Sequence, residues 1–582
     1  MRQHRRSASF LFAAFILLSQ VISRQAITAD EIFTKHVVVA QEGHAADVGR
    51  DVLRQGGNAI DAAIATAFAL AVTLPEAGNI GGGGFIVAYL ADRREVVTVD
   101  FREMAPQAAG PKMYLDREGK LRPRHRAGAW AAGVPGTVRG LGLAHARWGK
   151  VPWADLVRPA AKLARDGFPI SADLAGSLNS QLKTRAPAKA GPRDDYGRLA
   201  DFPASVAAFA RPDKSPWKAG ERLIQPNLAA TLERIAAGGP DEFYTGRIAE
   251  LIARYMEEND GRISRDDLAA YQAKIRAPVR TVFRGFDVYG MGPPSSGGIV
   301  LCQMLNILEH YDLKADGAGA PRTLHRVTEA MRRAFFTRAT RLADADFVDV
   351  PVAELVSKAA AKNLARSIGD RATKSAELAS FPILWPESDH TTHLSTLDSS
   401  GNAAALTYTL EDAYGAKAVV AGAGFLLNNE MGDFNLIPGR TDTSGRIGTP
   451  ANEIAPRKRM LSSMTPTIVL KDEKVALVTG SPGGRTIPNT TLWVVLNVLE
   501  FGLAPGAAVA APRTHHQWFP DVLLLEGESW PDATRSALAA MGHKVRSIRR
   551  QGNANTIVVA PLSRRIYGIA DPRRATTKAS GD

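Results

Sequence analysis

The sequence changes character at Thr391. From about Trp130 to Ser380 apolar residues recur mostly at helical spacing, and the end of this region loses that spacing and runs into Pro382 and Pro386. Beyond this irregular stretch, "TTHLSTLD" begins a series of segments rich in Thr, Val, Leu and Ile, which is typical of β-strands. Because strands and helices come in blocks, the pattern favours an α+β fold with a strand-rich unit over residues 391–582.

The position of Thr391 directly after an irregular segment suggests a chemical role. A threonine hydroxyl is a poor nucleophile unless a base lies beside it, and its own α-amino group becomes such a base once the preceding peptide bond is cut. A strand that begins at this residue would hold the new N-terminus rigidly. Threonine also favours strands in general, so the dipeptide Thr391-Thr392 alone favours a structural role over a catalytic one.

The N-terminus predicts export. Arg2, Arg5 and Arg6 precede an apolar run from about Phe10 to Ile22, and small residues follow. This is the pattern of a secretory signal peptide, here residues 1–29. A retained membrane anchor is the alternative, although the run is short for a bilayer span. We therefore expect a periplasmic or extracellular protein without a stable membrane anchor.

Charge and cysteine content argue against a nucleic-acid-binding protein and against a protein stabilised by intrachain disulfides. The chain has 582 residues and a formal net charge of +13, but its basic residues are scattered among acidic ones without a sustained run. A solvated basic surface is therefore favoured over a nucleic-acid partner. The single cysteine, Cys302, cannot form an intrachain disulfide, and its apolar surroundings indicate a buried, inert thiol.

Several motifs occur in one order along the chain. The segment from Thr391 onward contains "DHTTHLSTLDSSGNAAALTYTL", "GFLLNNEMGDF", "KRMLSSMTPTIVLKD", "VTGSPGGRTI" and "APRTHHQWFPD". Upstream lie "GGNAIDAAIATAFALAVTLPEAGNIGGGGF", "DFREMAP" and "GPPSSGG". Together they resemble the γ-glutamyltransferase family, also called γ-glutamyl transpeptidase or glutathione hydrolase. The resemblance covers nearly the whole chain after the signal.

The resemblance implies a fold and a maturation step. The fold would be the αββα sandwich of the N-terminal nucleophile hydrolases, made as an inactive precursor that cleaves itself between His390 and Thr391. The products would be a large chain, residues 30–390, and a small catalytic chain, residues 391–582. Thr391 would attack the scissile carbonyl during maturation and the γ-glutamyl carbonyl during turnover. A second threonine that orients the nucleophile in the family is matched by Thr409.

The resemblance also implies a binding site for a γ-glutamyl donor. The donor's α-carboxylate needs a fixed cation and hydroxyl groups, and a guanidinium suits a carboxylate bidentately. The family positions are matched by Arg102, Ser462 and Ser463. The donor's α-ammonium needs acceptors, which Glu430 and Asp433 would supply.

Backbone N–H groups would stabilise the oxyanion of the reaction. The motif "SPGG" matches the family here and offers Gly483 and Gly484, where the lack of a side chain permits close approach.

Two positions depart from the family pattern. Glu411 stands where many members have Asn, and a carboxylate there would oppose the donor's α-carboxylate unless it is turned away or paired. It could instead bind the α-ammonium or only support the strand end. In the stretch "PGRTDTSGRIGTPANEIAPRKRM", which has the length of a lid, Ser444 occupies the place of an aromatic gate residue found in some members.

The histidines do not predict a metal site. His390 and His393 would lie on opposite faces of a strand, and His515-His516 has no acidic or Cys partner at ligand spacing. No cofactor fingerprint occurs either, so we expect neither a metal nor a cofactor.

These features together predict an exported γ-glutamyltransferase. It would act on glutathione and related γ-glutamyl amides, with water or an amine as acceptor. The alternatives are a member of the same fold that acts on another donor, such as the glutaryl group used by cephalosporin acylases or poly-γ-glutamate, or an inactive secreted binding protein. A glutaryl group has no α-ammonium, so Glu430 and Asp433 favour a γ-glutamyl donor over it, while poly-γ-glutamate stays open. The intact nucleophile and oxyanion turn disfavour the inactive protein.

Overall fold

The structure is a computed structural model that describes residues 31–184, 197–378, 391–441, 448–528 and 530–582. The expected signal peptide, the segment that ends at His390, and Ser444 lie outside the described residues, so these three expectations remain predictions. Among the described residues no helix combines the length and the apolar character needed to cross a membrane.

Two seven-stranded antiparallel sheets organise the molecule. The strands in chain order are β1 (Glu31–Phe33), β2 (Val37–Ala40), β3 (Gly83–Leu90), β4 (Glu95–Phe101), β5 (Phe168–Pro169), β6 (Arg222–Leu223), β7 (Lys274–Arg276), β8 (Val279–Phe283), β9 (Phe286–Gly290), β10 (Thr391–Leu397), β11 (Ala403–Thr409), β12 (Thr467–Lys471), β13 (Lys474–Thr479), β14 (Thr514–His515), β15 (Leu523–Glu526), β16 (Val545–Ile548), β17 (Thr556–Val559), β18 (Ile566–Ile569) and β19 (Lys578–Gly581). One sheet has the order β19-β2-β10-β11-β3-β4-β7, and the other β1-β18-β17-β13-β12-β9-β8.

Helices cover the outer face of each sheet. In chain order they are α1 (Gly43–Arg54), α2 (Ala59–Thr73), α3 (Thr137–Trp148), α4 (Trp153–Asp166), α5 (Ala172–Leu182), α6 (Pro203–Phe209), α7 (Pro226–Gly238), α8 (Asp241–Tyr244), α9 (Arg247–Glu258), α10 (Arg265–Ala270), α11 (Gly297–Leu308), α12 (Leu313–Asp316), α13 (Pro321–Arg341), α14 (Val352–Leu355), α15 (Lys358–Arg366), α16 (Ser375–Leu378), α17 (Ile487–Leu499), α18 (Pro505–Ala510) and α19 (Asp532–Ala540). Helix α2 packs on β10 and β11, whereas α11 packs on β8, β9 and α17.

The two sheets pack face to face, and strand β10 shows why. Side chains alternate between the faces of a strand. Leu397 therefore joins the apolar layer between the sheets, with Val478 and Ile557 of the opposite sheet. Leu394 points the other way and packs in the core that contains Phe68 of α2. Layers in the order helices, sheet, sheet, helices confirm the predicted αββα sandwich.

The strands after residue 390 do not form a unit by themselves. In the sheet that contains β10, strands β2, β3, β4 and β7 precede Thr391, and in the other sheet β1, β8 and β9 do. The sequence did not indicate this arrangement, because strand pairing between distant segments leaves no local signal. Each sheet thus joins segments from both sides of the expected cleavage point.

Cys302 lies inside helix α11 and is fully buried. Burial raises the pKa of its thiol to about 12, so the reactive thiolate is disfavoured. The expectation of an inert thiol agrees with this environment.

Candidate active site

Thr391 is the first residue of β10 and pairs with Thr409, the last residue of β11. The Thr391 hydroxyl donates a hydrogen bond to Thr409 Oγ1 over 3.3 Å. Thr409 Oγ1 also accepts a hydrogen bond from the backbone N–H of Glu411 at 2.8 Å. The pairing of the two strands therefore places the Thr409 hydroxyl beside that of Thr391. The N–H of Glu411 holds the Thr409 oxygen in position.

A small cavity joins this pair to the other residues that the sequence selects. Its volume is about 30 Å³, which is room for about two water molecules. The residues that line it come from six separate parts of the chain and are Arg102, Thr391, Thr409, Glu411, Glu430, Asp433, Ser462, Ser463, Met464, Gly484 and Ile487. Every predicted site residue except Gly483 is among them, while Met464 and Ile487 were not predicted.

Arg102 follows the end of β4 and is fully buried. Its guanidinium forms ion pairs with both Glu430 and Asp433. Its Nε donates to the carbonyl of Met460 at 3.2 Å. The Tyr271 hydroxyl donates to the backbone carbonyl of Arg102 at 2.8 Å. The predicted carboxylate subsite and the predicted ammonium subsite are therefore in direct contact, with the cation of one bonded to the acids of the other.

A further acid, Glu103, lies in the same cluster. Its Oε2 is 3.5 Å from Arg102 Nη1, and its side chain is fully buried. Burial raises the pKa of Glu103 to about 7, although Arg102 opposes the shift. Burial likewise raises the pKa of Glu430 well above its ordinary value, and the charges of Glu103 and Asp433 add to the effect while Arg102 opposes it. Sequence reasoning missed Glu103, although the motif "DFREMAP" contains it.

Ser462 is held by the motif "GPPSSGG", residues 292–298. The backbone N–H of Ser462 donates to the carbonyl of Pro294 at 3.0 Å. In return, the Ser462 carbonyl accepts from the N–H of Ser296 at 2.8 Å and from its hydroxyl at 2.6 Å. Arg338 Nε donates to that hydroxyl at 3.1 Å. This motif thus positions Ser462, to which Ser463 is adjacent in the chain, and none of its residues lines the cavity.

Gly483 and Gly484 form the turn that precedes helix α17. Their φ angles are 131° and 52°, in the region that favours glycine. A Cβ on Gly483 would lie 2.4 Å from Thr486 Oγ1, so a side chain there would collide. Gly484 lines the cavity at the N-terminal end of the helical segment, where backbone N–H groups have no partner within the helix. Gly483 supports this turn from outside the cavity lining.

Glu411 lines the cavity at a strained backbone position, with φ at 77°. A Cβ built on Gly432 would lie 2.7 Å from Glu411 Oε1, so the carboxylate packs against this glycine. Gly432 belongs to the 3₁₀ turn Glu430–Asp433. The carboxylate therefore lies beside the two acids of the predicted ammonium subsite.

His393 lies two residues after Thr391, between the sheets. Its ring nitrogens contact Thr407 Oγ1 at 2.8 Å and Ser395 Oγ at 3.1 Å. Burial lowers its pKa to about 3, so the ring is neutral. A Cβ on Gly480 would lie 2.4 Å from the ring, which explains the glycine there. His393 is therefore a packing residue.

Burial also lowers the pKa values of His515 and His516 to about 4. Within the described residues, the group with potential metal ligands close together is His325, Glu329 and His543, whose ligand atoms lie within 4.8 Å of one another. Two arginines already bind the carboxylate of Glu329, and none of the three residues lines the cavity.

Comparison with known proteins agrees with this geometry. The gamma-glutamyltranspeptidase family profile matches residues 45–581. The glutathione hydrolase proenzyme of Escherichia coli (strain K12) is 44% identical over 94% of this chain and 91% of its own length. The acylase ACY 1 proenzyme of Pseudomonas sp. (strain SE83) is 37% identical over 91% of this chain and 90% of its own.

A solved structure supports the fold. The cephalosporin acylase from Bacillus halodurans superposes with a TM-score of 0.81 over 95% of this chain and 97% of its own, at 24% sequence identity. This identity is low enough that the likeness concerns the fold alone. The family profile and the relatives cover nearly the whole chain, including both strands that carry the threonine pair. The chain is therefore a member of the gamma-glutamyltranspeptidase family of enzymes.

Proposed function

We propose that this protein is an exported γ-glutamyltransferase and glutathione hydrolase that matures by cutting itself before Thr391. The observation that carries the proposal is the cavity in which the Thr391–Thr409 hydroxyl pair and the buried Arg102 cluster meet. A related proenzyme from Escherichia coli is named a glutathione hydrolase, which supports both the donor and the maturation step.

In this mechanism Thr391 acts twice. Its hydroxyl first attacks the carbonyl of the preceding residue, the peptide C–N bond breaks, and the upstream chain is left as an ester on the Thr391 oxygen. Water then hydrolyses this ester, which releases the upstream chain as a carboxylate and frees both the hydroxyl and the α-amino group. The α-amino group serves as the base in turnover. The hydroxyl next attacks the γ-glutamyl carbonyl, the leaving amine takes a proton, and a γ-glutamyl ester forms on Thr391. Water or an acceptor amine breaks this ester. Thr409 would orient the nucleophile, and backbone N–H groups at the Gly483–Gly484 turn would stabilise the oxyanion.

The donor would be held at its two charged ends. Its α-carboxylate would take over the guanidinium of Arg102 and reach Ser462 and Ser463, while its α-ammonium would bind Glu430 and Asp433. Binding would thus exchange the ion pairs inside the protein for ion pairs with the donor. Such an exchange keeps the buried charges paired, which is what makes a buried ionic site tolerable.

An acylase for glutaryl donors is the second candidate, because a relative is named an acylase. A glutaryl group lacks the α-ammonium. Acidic side chains line the cavity at Glu411, Glu430 and Asp433, and Arg102 is the cation among its lining residues. This excess of acids supports a donor that carries a positive charge of its own.

The test of maturation uses the purified full chain. Wild type should resolve into two chains, and N-terminal sequencing of the smaller should begin Thr-Thr-His-Leu-Ser. Thr391→Ala should stay a single chain without activity. Thr392→Val is the matched control, because the Thr392 hydroxyl makes no hydrogen bond within the described residues, and it should still be cut. Cleavage of Thr391→Ala at the same bond contradicts the nucleophile assignment.

The test of the donor compares two anilides on the processed enzyme. A γ-glutamyl anilide should be hydrolysed with a higher kcat/KM than a glutaryl anilide of the same leaving group. The reverse order favours the acylase. Export is tested separately by locating the protein and sequencing the N-terminus of the large chain, which should begin near residue 30.

A further inference from the structure

The Arg102 cluster is unbalanced in charge. One guanidinium faces three carboxylates, those of Glu103, Glu430 and Asp433. The Glu103 and Glu430 side chains are 0% and 1% exposed, so water does not screen them. Both carboxylates meet the same atom, Arg102 Nη1, and this one nitrogen serves two acids.

Two carboxylate oxygens in this cluster lack a donor. Glu103 Oε1 and Glu430 Oε2 are buried and have no hydrogen-bond partner among the described residues. Burying an ionised oxygen without a hydrogen-bond donor costs free energy. Such a carboxyl group therefore binds a proton and becomes neutral more readily than an exposed one. A proton on one of the two acids would remove a negative charge and create a hydroxyl donor.

The titratable neighbours of this pair are other carboxylates, two phenols and one guanidinium. The charged or titratable groups that act on Glu103 or are acted on by it are Arg102, Asp100, Glu430, Asp433, Tyr244 and Tyr271. Glu411 lies beside the turn that carries Glu430 and Asp433. Burial raises the pKa of both phenols, so they stay neutral, and the acids keep the pKa of Arg102 above its ordinary value. The proton must therefore reside on a carboxylate. Within the Arg102 cluster, Glu103 and Glu430 carry the buried oxygens without a donor among the described residues, whereas the Asp433 side chain is 19% exposed.

We propose that Glu103 and Glu430 share one proton while the pocket is empty, and that the α-ammonium of a donor expels this proton to solvent. The inference rests on the proposed function, since it takes a γ-glutamyl compound as the ligand. An ionised Glu430 binds an ammonium group more strongly than a protonated one, because charge attraction adds to the hydrogen bond. Glu103 does not touch the donor and acts through the charge that it places beside Glu430.

The consequence is a link between donor affinity and pH. A ligand that releases a proton binds more tightly as the pH rises through the range in which the pair titrates. L-glutamate, the hydrolysis product, carries the α-ammonium and should behave in this way. Glutarate has the same two carboxylates without the ammonium group, so any proton exchanged at Thr391 is common to both ligands, and glutarate should release none from the pair.

Calorimetry measures the released proton directly. Wild-type processed enzyme is titrated with L-glutamate at one neutral pH in phosphate and in Tris, whose heats of ionisation differ. The difference between the two binding enthalpies should correspond to roughly half to one proton released per site. Glu103→Gln should lower this release at least twofold, because Glu430 then loses a neighbouring negative charge. The control Glu354→Gln, whose side chain is 62% exposed, should release as much as wild type.

The outcomes separate this inference from the proposed function. Equal enthalpies in the two buffers, or the same release in Glu103→Gln as in wild type, overturn the shared proton and leave the enzyme assignment standing. If wild type binds no L-glutamate in either buffer, both proposals fall together. Should Glu103→Gln not fold, the comparison of L-glutamate with glutarate on wild type still decides, because equal proton release for both ligands overturns the inference.

Discussion

Two buried clusters of arginine and glutamate differ in how completely their hydrogen bonds are made. Around Glu329, Arg332 Nε donates to Oε1 at 3.1 Å and Arg333 Nη1 donates to Oε2 at 2.5 Å. Thr373 adds its N–H at 3.2 Å and its hydroxyl at 2.6 Å. Around Glu430, by contrast, a single guanidinium serves three carboxylates, and Glu430 Oε2 has no donor among the described residues.

The pKa values of the two glutamates are consequently shifted in opposite directions. Burial alone would raise the pKa of Glu329, but Arg332, Thr373 and Arg333 hold it below its ordinary value. The pKa of Glu430 lies well above its ordinary value, because burial outweighs its one cation. A cluster whose hydrogen bonds are all made fits a structural role, whereas an unbalanced cluster beside a cavity is a candidate site for a ligand of suitable charge.

The largest expected effect is on stability at the balanced cluster. Arg332→Met leaves Glu329 and Asp521 without their shared cation, and removal of one partner from a buried ion pair costs about 3 to 5 kcal/mol. Denaturant unfolding should show this loss, while the kcat/KM of the folded fraction stays within twofold or so of wild type. Arg341→Met is the control on the same helix, because its ion pair with Glu354 is exposed. A stable Arg332→Met protein with lost activity contradicts the comparison.

The unbalanced cluster should respond in activity. Arg102→Met removes the cation that would bind the donor's α-carboxylate, and loss of a buried charge partner typically costs about 2 to 5 kcal/mol, roughly 30-fold or more in kcat/KM. The acids left behind can take up protons, so we expect a smaller loss of stability than for Arg332→Met. Hydrolysis of a γ-glutamyl anilide by the processed variant measures the effect. An unchanged kcat/KM rejects the assignment of Arg102 to the donor.

Replacement of the central glutamate by glutamine should change stability with opposite signs in the two clusters. The pKa of Glu430 is raised on folding, so between its ordinary value of 4.5 and the raised value the folded state binds more protons, and stability falls as pH rises. Glu430→Gln should therefore stabilise the protein at neutral pH, on the order of 1 kcal/mol, and the gain should vanish near pH 4.5.

Glu329→Gln is the counterpart of this change. The pKa of Glu329 is lowered on folding, so its carboxylate stabilises the fold above the ordinary value of 4.5, and this contribution is lost as pH falls through the lowered pKa. The variant should be less stable than wild type at neutral pH, with a deficit that shrinks in acid. Thermal unfolding of both variants across pH measures the signs, and equal signs would show that the clusters are alike.

The smallest expected effect concerns Glu411, which lies beside the Glu430–Asp433 turn and is partly exposed. Glu411→Gln removes one of several acids near the donor's ammonium, so KM for a γ-glutamyl anilide should rise about two- to fivefold, or up to about 1 kcal/mol. KM for a glutaryl anilide should not rise. A fall in KM for the γ-glutamyl donor would instead show repulsion of its α-carboxylate, the alternative that the sequence left open.

Local sequence was sufficient to predict much of the architecture. The start of β10 at Thr391 could be predicted because "TTHLSTLD" is rich in Thr and Leu and contains no Gly or Pro, whereas the preceding segment contains Pro382 and Pro386. The contribution of strands from before Thr391 to both sheets could not be predicted, since the β11–β3 pairing joins Thr409 to Gly83 across more than three hundred residues. Pairing over such distances depends on the packing of the whole sandwich.

For the candidate site, the sequence by itself determined which residues were selected, and all of them except Gly483 line one cavity. The motifs that resemble the family selected the proposed nucleophile, its neighbour and the charged residues, because their chemistry and order are properties of the chain. Only the tertiary structure decided that Arg102 pairs directly with Glu430 and Asp433, and that Glu103 shares the same nitrogen. The physical reason is that charge balance and hydrogen-bond satisfaction depend on distances between side chains, and folding brings together groups more than three hundred residues apart.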